Sequence, residues 1–426
     1  MSITTSGSAF RSRGLKNTIG GIAILATGAL VLGGCAAPEE PADEPTAIAD
    51  YTMQLGTLLP QTGNLAFLGP PEEAGVGYAV SQVNEYSDAT GLTIQVEYGD
   101  SGNTDNKAYE TEAPRILALN TTAVIGAASS GVSLQFIDQV VGAGVIQFSP
   151  ANTSDAFTTY DDNGLYFRTA PSDVLQGEVL GNLIAEDGNQ TLGMIVLNDS
   201  YGTGLAKYVT EAFEAAGGEV VAAPTYNTGD SNFDSQINEV LAQSPDAIAL
   251  ITFDEVSSIL PSLFGKIPAE KLYFVDGNLA NFGDEFPAGS LAGAKGTLPG
   301  LSIDSITEFT EALQAWVAED GGDELTEFSY AAESYDAVIL LALASLAAGG
   351  ATDGATVAGK LQEVSGGSGN GEKCTTFQEC ADIILSGGVA DYDGVSGPIT
   401  FDEVGDPTEA SIGIYVYGED NRYSAY

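Results

Sequence analysis

From residue 51 to about residue 300, short β-branched runs alternate with longer amphipathic stretches, and this alternation constrains the fold more than any other feature. Two of the intervening stretches, 173–187 and 204–218, have helical spacing, and the second ends in a glycine stop signal. Such an order predicts an α/β fold with parallel sheets flanked by helices. About nine strands could form one sheet, but the length of 426 residues favours two smaller doubly wound sheets. The predicted strands are Thr52–Leu59, Leu92–Tyr98, Ala123–Ile125, Val145–Phe148, Thr191–Leu197, Glu219–Ala223, Ala247–Thr252, Leu272–Val275 and Ala294–Leu298.

One helical stretch, residues 329–350, is apolar over most of its surface. Glu333 and Asp336 interrupt it, so the pattern favours a buried helix over a membrane span.

The first 34 residues are typical of an export signal. Three cations within residues 11–16 precede an apolar run at residues 19–32 that is too short to span a bilayer comfortably. The run leads into Leu-Gly-Gly-Cys at 32–35, which resembles the lipobox of bacterial lipoproteins; an ordinary signal peptide with a chance cysteine is the alternative. We expect removal of residues 1–34, lipidation of Cys35, and a disordered tether rich in proline and acid over residues 35–50.

The formal net charge of −46 and the absence of histidine exclude whole classes of function. So acidic a chain repels phosphate backbones, and we expect no nucleic-acid partner. Without histidine the chain cannot build a Ser-His-Asp triad, a Cys-His pair or a His-ligated zinc site. No complete phosphate-loop or dinucleotide motif is present, so we expect no cofactor and no metal. A hydrolase whose catalytic groups are all carboxylates remains an alternative, although no motif points to one.

Cys374 and Cys380 lie six positions apart. In an exported protein such a pair predicts a disulfide. A metal site is the alternative, but two thiols without histidine are too few ligands.

Two predicted turns carry hydroxyl side chains directly after the end of a predicted strand. The first carries Ser129 and Ser130 before a predicted helix, and the second carries Ser149, Ala151 and Thr153. In open α/β sheets ligands bind beyond the carboxyl ends of strands, where helix N-termini attract carboxylates. Simple N-capping by Ser129 or Ser130 is the alternative at the first turn, and capping within a turn is the alternative at the second.

The order and spacing of several short motifs make the chain similar to a known family. From about residue 51 to residue 426 it resembles the type I periplasmic binding proteins of ABC transporters, in the group that binds branched-chain amino acids. The motifs that carry the resemblance are "GTLLPQTGNLAFLG" (56–69), "AVIGAASSGVS" (123–133), "GVIQFSPANTSDAF" (144–157), "YFRTAPSD" (166–173), "NDSYGTGLAK" (198–207), "FVDGN" (274–278) and "DGVSGPITFDEVGDP" (393–407).

The resemblance implies two Rossmann-like lobes joined by a hinge of three crossovers. Lobe 1 would comprise residues 51–169 and 299–396, and lobe 2 residues 170–298 and 397–426. A small ligand would bind between the lobes, which would close on it.

The resemblance also implies roles for single residues. The turn at Ser129 and Ser130 would bind the α-carboxylate of the ligand. Ala151, through its backbone, and Thr153 would bind the α-amino and carboxylate groups. Tyr201 would close over the ligand from lobe 2, and its alternative is an ordinary tyrosine at a strand-to-helix turn.

Asp276 would meet the ligand's ammonium, since a partly desolvated carboxylate needs a cation or donors. Its alternative is a turn aspartate before a glycine. A further aromatic of the closing lobe falls on Thr252 or Phe253, and the sequence does not decide between them. Phe67 and Leu68 offer an apolar patch that suits an aliphatic or aromatic side chain.

These observations predict a lipid-anchored, monomeric receptor on the extracytoplasmic face of the cell membrane, without catalytic activity. It would capture a small amino acid, branched-chain or otherwise apolar, and deliver it to an ABC permease, touching the membrane only through its anchor. A receptor for an amide, urea or an aromatic acid is the first alternative. A sensory lipoprotein is the second, and a carboxylate-based enzyme is the third.

Overall fold

The computed structural model describes residues 49–426. The predicted signal peptide, the lipidated Cys35 and the tether up to residue 48 lie outside the described residues, so these remain predictions. Among the described residues, no helix is long and apolar enough to cross a membrane.

Strands and helices alternate as the sequence predicts. The strands are β1 (Tyr51–Leu58), β2 (Leu92–Glu97), β3 (Ala123–Gly126), β4 (Ile146–Ser149), β5 (Tyr166–Arg168), β6 (Thr191–Leu197), β7 (Glu219–Ala222), β8 (Thr225–Tyr226), β9 (Ala247–Ile251), β10 (Leu272–Phe274), β11 (Lys295–Pro299), β12 (Glu372–Cys374), β13 (Ala390–Gly394), β14 (Gly397–Pro398), β15 (Ile412–Tyr417) and β16 (Tyr423–Ala425). The helices are α1 (Gly69–Glu85), α2 (Ser87–Thr90), α3 (Tyr109–Leu117), α4 (Ser130–Gly142), α5 (Asp173–Glu186), α6 (Ser200–Ala215), α7 (Asp234–Ala242), α8 (Val256–Leu263), α9 (Thr307–Asp320), α10 (Ala331–Ala347), α11 (Gly354–Val364) and α12 (Phe377–Leu385).

The strands form two main sheets. The first has the order β2-β1-β3-β4-β5 and is parallel throughout. The second has the order β16-β15-β11-β10-β9-β6-β7, with β8 also paired to β6, and only β15 and β16 run antiparallel to their neighbours. The choice of two sheets over one is therefore confirmed. A small sheet, β12-β13-β14, lies apart from both.

Each main sheet has its own core. One buried cluster joins the first sheet to α1, α9, α10, α11 and α12, and another joins the second sheet to α5, α6, α7 and α8. The chain leaves the first sheet after Arg168 and builds the second sheet up to Pro299. Helices α9 to α12 then pack on the core of the first sheet, and the chain re-enters the second sheet at β15 after the small sheet. The exact lobe boundaries given above stay predictions.

Helix α10 is buried along nearly its whole length, as the sequence predicts for an internal helix. Its Asp336 is buried as well and accepts hydrogen bonds from the Tyr392 hydroxyl at 2.6 Å and from the backbone N–H groups of Val395 and Ser396 at 3.1 and 2.7 Å. Asp336 therefore holds residues 392–396, which precede the return of the chain to the second sheet, against α10.

Cys374 at the end of β12 and Cys380 in α12 form a disulfide in the structure, with Cα atoms 5.4 Å apart. That separation is ordinary for a disulfide. Oxidation of the pair in the exported protein stays a prediction.

Candidate ligand-binding site

The first serine turn lies where the sequence places it, between β3 and α4. Ser129 caps the helix, and its Oγ accepts a hydrogen bond from the Val132 N–H at 3.3 Å. Ser130 is the first residue of α4, and its Oγ accepts from the Ser154 N–H at 3.3 Å. The capping interpretation thus applies to Ser129, whereas the hydroxyl proton of Ser130 is available to a ligand at the helix N-terminus.

The second turn is tied to the first by side-chain hydrogen bonds. Ser149 donates to the Ala127 carbonyl at 2.7 Å, and Asn152 donates to the carbonyls of Ala127 and Ala128 at 2.9 Å each. The Ser149 hydroxyl in turn accepts from the Ala151 N–H at 3.2 Å. This network fixes the two turns side by side at the carboxyl ends of β3 and β4.

Asp276 follows β10 and approaches the same space from the second sheet. The residue is 5% exposed, and its carboxylate accepts three hydrogen bonds. The donors are Gln176 Nε2 at 2.9 Å, the Tyr201 hydroxyl at 2.6 Å and the Tyr330 hydroxyl at 2.8 Å. All three donors are neutral, so nothing in this shell balances the charge of the carboxylate.

Tyr201 and Phe253 form an aromatic wall beside Asp276. Their rings stack with centroids 5.3 Å apart and planes 20° from parallel. Of the two residues that the sequence left open, Phe253 faces the cavity. Thr252 does not line it, and its hydroxyl accepts a hydrogen bond from Asn278 and donates one to the Phe253 carbonyl.

Most of the predicted site residues meet around one cavity. The space between the side chains is about 240 Å³, including its opening to solvent. The predicted residues on its walls are Leu68, Ser129, Ser130, Ala151, Tyr201 and Asp276. They are joined there by Leu65, Ala128, Phe253, Gly277 and Tyr330.

Two predicted residues do not reach this cavity. Thr153 is fully buried behind it, and its Oγ1 has no hydrogen-bond partner among the described residues. Phe67 lies on other surfaces, and Leu65 takes the place beside Leu68 that the sequence suggests for Phe67.

Burial and hydrogen bonding oppose each other at Asp276. Burial raises the pKa of its carboxyl, whereas the hydrogen bonds from Tyr201, Tyr330 and Gln176 lower it. Burial and then the neighbouring Asp276 raise the pKa values of Tyr201 and Tyr330 well above the ordinary tyrosine value, so both hydroxyls stay protonated and donate. The cavity walls carry no lysine or arginine. They present one carboxyl group, that of Asp276, and several neutral donors.

A second buried acid, Asp173, lies behind the cavity at the start of α5. Neither of its carboxyl oxygens has a hydrogen-bond partner among the described residues. Burial, followed by the charge of Asp276, raises its pKa well above the usual range. Asp173 does not line the cavity, so Asp276 is the acid that a ligand in the cavity can reach.

Sequence reasoning missed Tyr330, Gln176 and Leu65. Tyr330 is the residue before α10 and has a left-handed backbone, with φ of 61°. Only that conformation and the packing of α10 bring its hydroxyl to Asp276. No local signal near Gln176 or Tyr330 distinguishes them from other polar residues at helix starts.

The two-sheet fold is that of the type I periplasmic binding proteins. A sequence model described as "Periplasmic binding protein" matches residues 52–378. The chain belongs to the periplasmic binding protein family, and its relatives include binders of branched-chain amino acids.

Relatives and solved structures extend this finding. The chain is 25% identical over 360 residues to the chemotactic signal transduction system substrate-binding protein BasB of Halobacterium salinarum, covering 82% of this chain and 84% of that protein. It is 24% identical over 378 residues to the Leu/Ile/Val-binding protein BraC3 of Rhizobium johnstonii, covering 87% and 92%. A solute-binding protein of an ABC transporter from R. palustris, solved with benzoate, shares the fold with a TM-score of 0.69 at 18% identity, covering 88% and 95%. These homologues are binding proteins, which is consistent with a protein that has no catalytic role.

Proposed function

We propose that this protein is an extracytoplasmic receptor that captures a small α-amino acid with an apolar side chain and presents it to an ABC permease. The observation that carries the proposal is the buried carboxylate of Asp276, surrounded by neutral donors and facing the turn at Ser130. A zwitterionic ligand supplies both the cation that Asp276 lacks and an anion for the opposite turn.

The carboxylate end of the ligand would bind at the start of α4. Ser130 contributes a hydroxyl there, and the N-terminus of a 13-residue helix contributes free N–H groups and the positive end of its dipole. Ala151, on the neighbouring turn, adds backbone groups. Thr153 does not line the cavity, and we propose that it contacts the polar end of the ligand only after a small shift of this turn.

The side chain of the ligand would lie against an apolar surface. Leu65, Leu68 and the stacked pair of Tyr201 and Phe253 form this surface. It offers no charged group for a polar side chain, which favours leucine, isoleucine or valine. The resemblance to BraC3 supports the same class.

Ligand capture would close two lobes about a hinge. Lobe 1 is proposed to comprise 51–169 and 299–396, and lobe 2 to comprise 170–298 and 397–426. Because Ser130 and Ala151 then belong to one lobe and Tyr201 and Asp276 to the other, the zwitterion would bridge them and stabilise the closed state. The protein would act as a monomer, held at the membrane by lipid on Cys35.

A sensory role is the second candidate, and the resemblance to BasB favours it. BasB is named as the substrate-binding component of a chemotactic signal transduction system, and the match covers most of both chains. The same cavity would serve either role, since only the partner differs.

A thermal-shift screen of the exported protein against the twenty amino acids, simple amides, urea and aromatic acids tests the proposal. We expect leucine, isoleucine or valine to give the largest increase in melting temperature. A larger increase with benzoate, an amide or urea would assign the cavity to that ligand instead. Adding the permease or a chemotaxis transducer to the loaded protein then separates transport from sensing.

A further inference from the structure

A second cavity, separate from the ligand cavity, lies between the start of α1 and the end of α9. It is an open groove of about 1110 Å³, including the space open to solvent. We call it the α1–α9 groove, and its walls are formed by Phe67, Pro70, Glu73, Tyr98, Trp316 and Asp320 together with residues 322–327. None of the residues proposed to touch the amino acid lies on it.

The floor of the groove is aromatic. Trp316 and Tyr98 converge on Gly77 of α1, since a side-chain carbon built there would lie 2.5 Å from the Trp316 ring and 3.2 Å from the Tyr98 hydroxyl. Trp316 is also supported by Tyr78, with ring centroids 6.0 Å apart. Glycine at position 77 therefore lets two half-exposed rings approach α1 and present their outer surfaces to the groove.

The rim of the groove is acidic beyond what the composition of the chain explains. A third of the lining residues are aspartate or glutamate, against about one in seven over the whole sequence, and none of the lining residues is basic. Glu73 is half-buried in the wall, and burial raises its pKa. Burial and the charges of Glu73 and Asp320 raise the pKa of Tyr98 to about 12.

The end of α9 adds to this negative potential. The helix has 14 residues and stops at Gly321, which adopts a left-handed conformation with φ of 84°. Its last carbonyl groups carry the negative end of the helix dipole, beside Asp320. Acidic side chains and a helix C-terminus therefore meet at one end of an aromatic surface.

We propose that the α1–α9 groove binds a small organic cation of the quaternary or alkyl ammonium class. Aromatic faces attract such cations through their quadrupoles, and tryptophan is the strongest of them. The methyl groups of a quaternary ammonium suit the apolar walls formed by Phe67 and Pro70, while the acidic rim supplies the counter-charge. The inference goes beyond the proposed function, because it concerns a different cavity and a different class of ligand.

Trp316 provides the measurement, because it is the single tryptophan of the chain. The full exported protein is titrated with choline chloride at constant ionic strength, and tryptophan fluorescence is recorded. The neutral isostere 3,3-dimethylbutan-1-ol is titrated in parallel. We expect a saturable change with choline and a half-saturation concentration for the alcohol at least about tenfold higher, because the alcohol has the same shape without the charge.

Three variants locate the site. Asp320→Asn removes an exposed rim charge and should weaken choline binding by about two- to fivefold. Trp316→Leu should weaken it by about two- to thirtyfold, measured by the broadening of the choline methyl signal in NMR because the fluorophore is lost. Glu239→Gln, at an exposed position of α7, removes one negative charge as Asp320→Asn does, but away from the groove. It should leave choline affinity unchanged.

Three outcomes would overturn the proposal: no saturable signal, equal half-saturation for choline and the alcohol, or equal weakening by Asp320→Asn and Glu239→Gln. Thermal unfolding of each variant excludes misfolding, and Asp320→Asn keeps the proposal testable if Trp316→Leu is unstable. Asp320→Asn should bind leucine with wild-type affinity. The leucine titration therefore distinguishes failure of the choline proposal from failure of the proposed amino-acid site.

Discussion

Replacing Asp276 with asparagine removes the single negative charge on the cavity wall while keeping the shape of the side chain. In the structure this carboxylate accepts from Gln176, Tyr201 and Tyr330 at 2.6–2.9 Å. Two carboxylate oxygens offer about four acceptor positions, so one remains for the ligand's ammonium. Both hydroxyl donors can turn to suit an amide, and the fold should tolerate the change.

The magnitude follows from the hydrogen bond that is lost. A charge-assisted hydrogen bond contributes about 1.5–3 kcal/mol. Because each 1.4 kcal/mol is tenfold in affinity, Asp276→Asn should weaken amino-acid binding by about ten- to a hundredfold. The ligand-free variant should unfold at the same or a slightly higher temperature, because a buried charge without a cation has been removed.

Calorimetry of wild type and Asp276→Asn with leucine and with 4-methylpentanoate, which lacks the amino group, measures the effect. Wild type should prefer leucine, and the variant should lose most of that preference. Asp304→Asn, an exposed residue outside the cavity, is the matched control and should bind as wild type does. Equal binding of both compounds by wild type and variant would reduce Asp276 to a turn residue and refute the reasoning.

Three further perturbations have defined outcomes. Tyr330→Phe removes one donor to Asp276, so the carboxyl pKa rises further and leucine affinity, measured by calorimetry at several pH values, should fall more at acidic than at alkaline pH. Burial raises the pKa of Glu333 to about 8, so the native state holds a proton that the unfolded state releases. The free energy of unfolding should therefore decrease as pH rises from about 4.5 to 8, and denaturant unfolding of Glu333→Gln should show a smaller decrease. Replacing both Cys374 and Cys380 with alanine should lower the free energy of unfolding by about 2–3 kcal/mol, and no loss would mean that the cysteines are not paired in the exported protein.

The fold was largely predictable because its signals are local and periodic. The apolar run at 191–197 favours a strand, and the spacing of apolar residues in 173–187 favours a helix, and the structure has both. The predicted bounds differ from the structure mainly at the ends, as with α6, which begins at Ser200 rather than at residue 204. Asp199 caps α6 by accepting a hydrogen bond from the Gly202 N–H at 2.7 Å. This cap explains why the helix begins at Ser200, four residues before the predicted start.

The site was predictable where motifs carry it and not where packing decides. Ser130, Ala151 and Asp276 follow strands, so their positions at the sheet edges could be inferred. Leu65 faces the cavity where Phe67 was expected, because the direction of side chains in the turn before α1 has no period to follow. Tyr330 reaches Asp276 across 54 residues of sequence, a contact that exists only once α10 is packed.

The most direct test of the central claim is a calorimetric titration of the wild-type exported protein with leucine, 4-methylpentanoate and 3-methylbutylamine. The first compound carries both charged groups, the second lacks the ammonium, and the third lacks the carboxylate. Binding of a zwitterion between the Ser130 turn and Asp276 predicts that leucine binds and that each analogue binds at least about tenfold more weakly. Binding of either analogue with the affinity of leucine, or binding of none of the three while a non-amino ligand binds tightly, would contradict it.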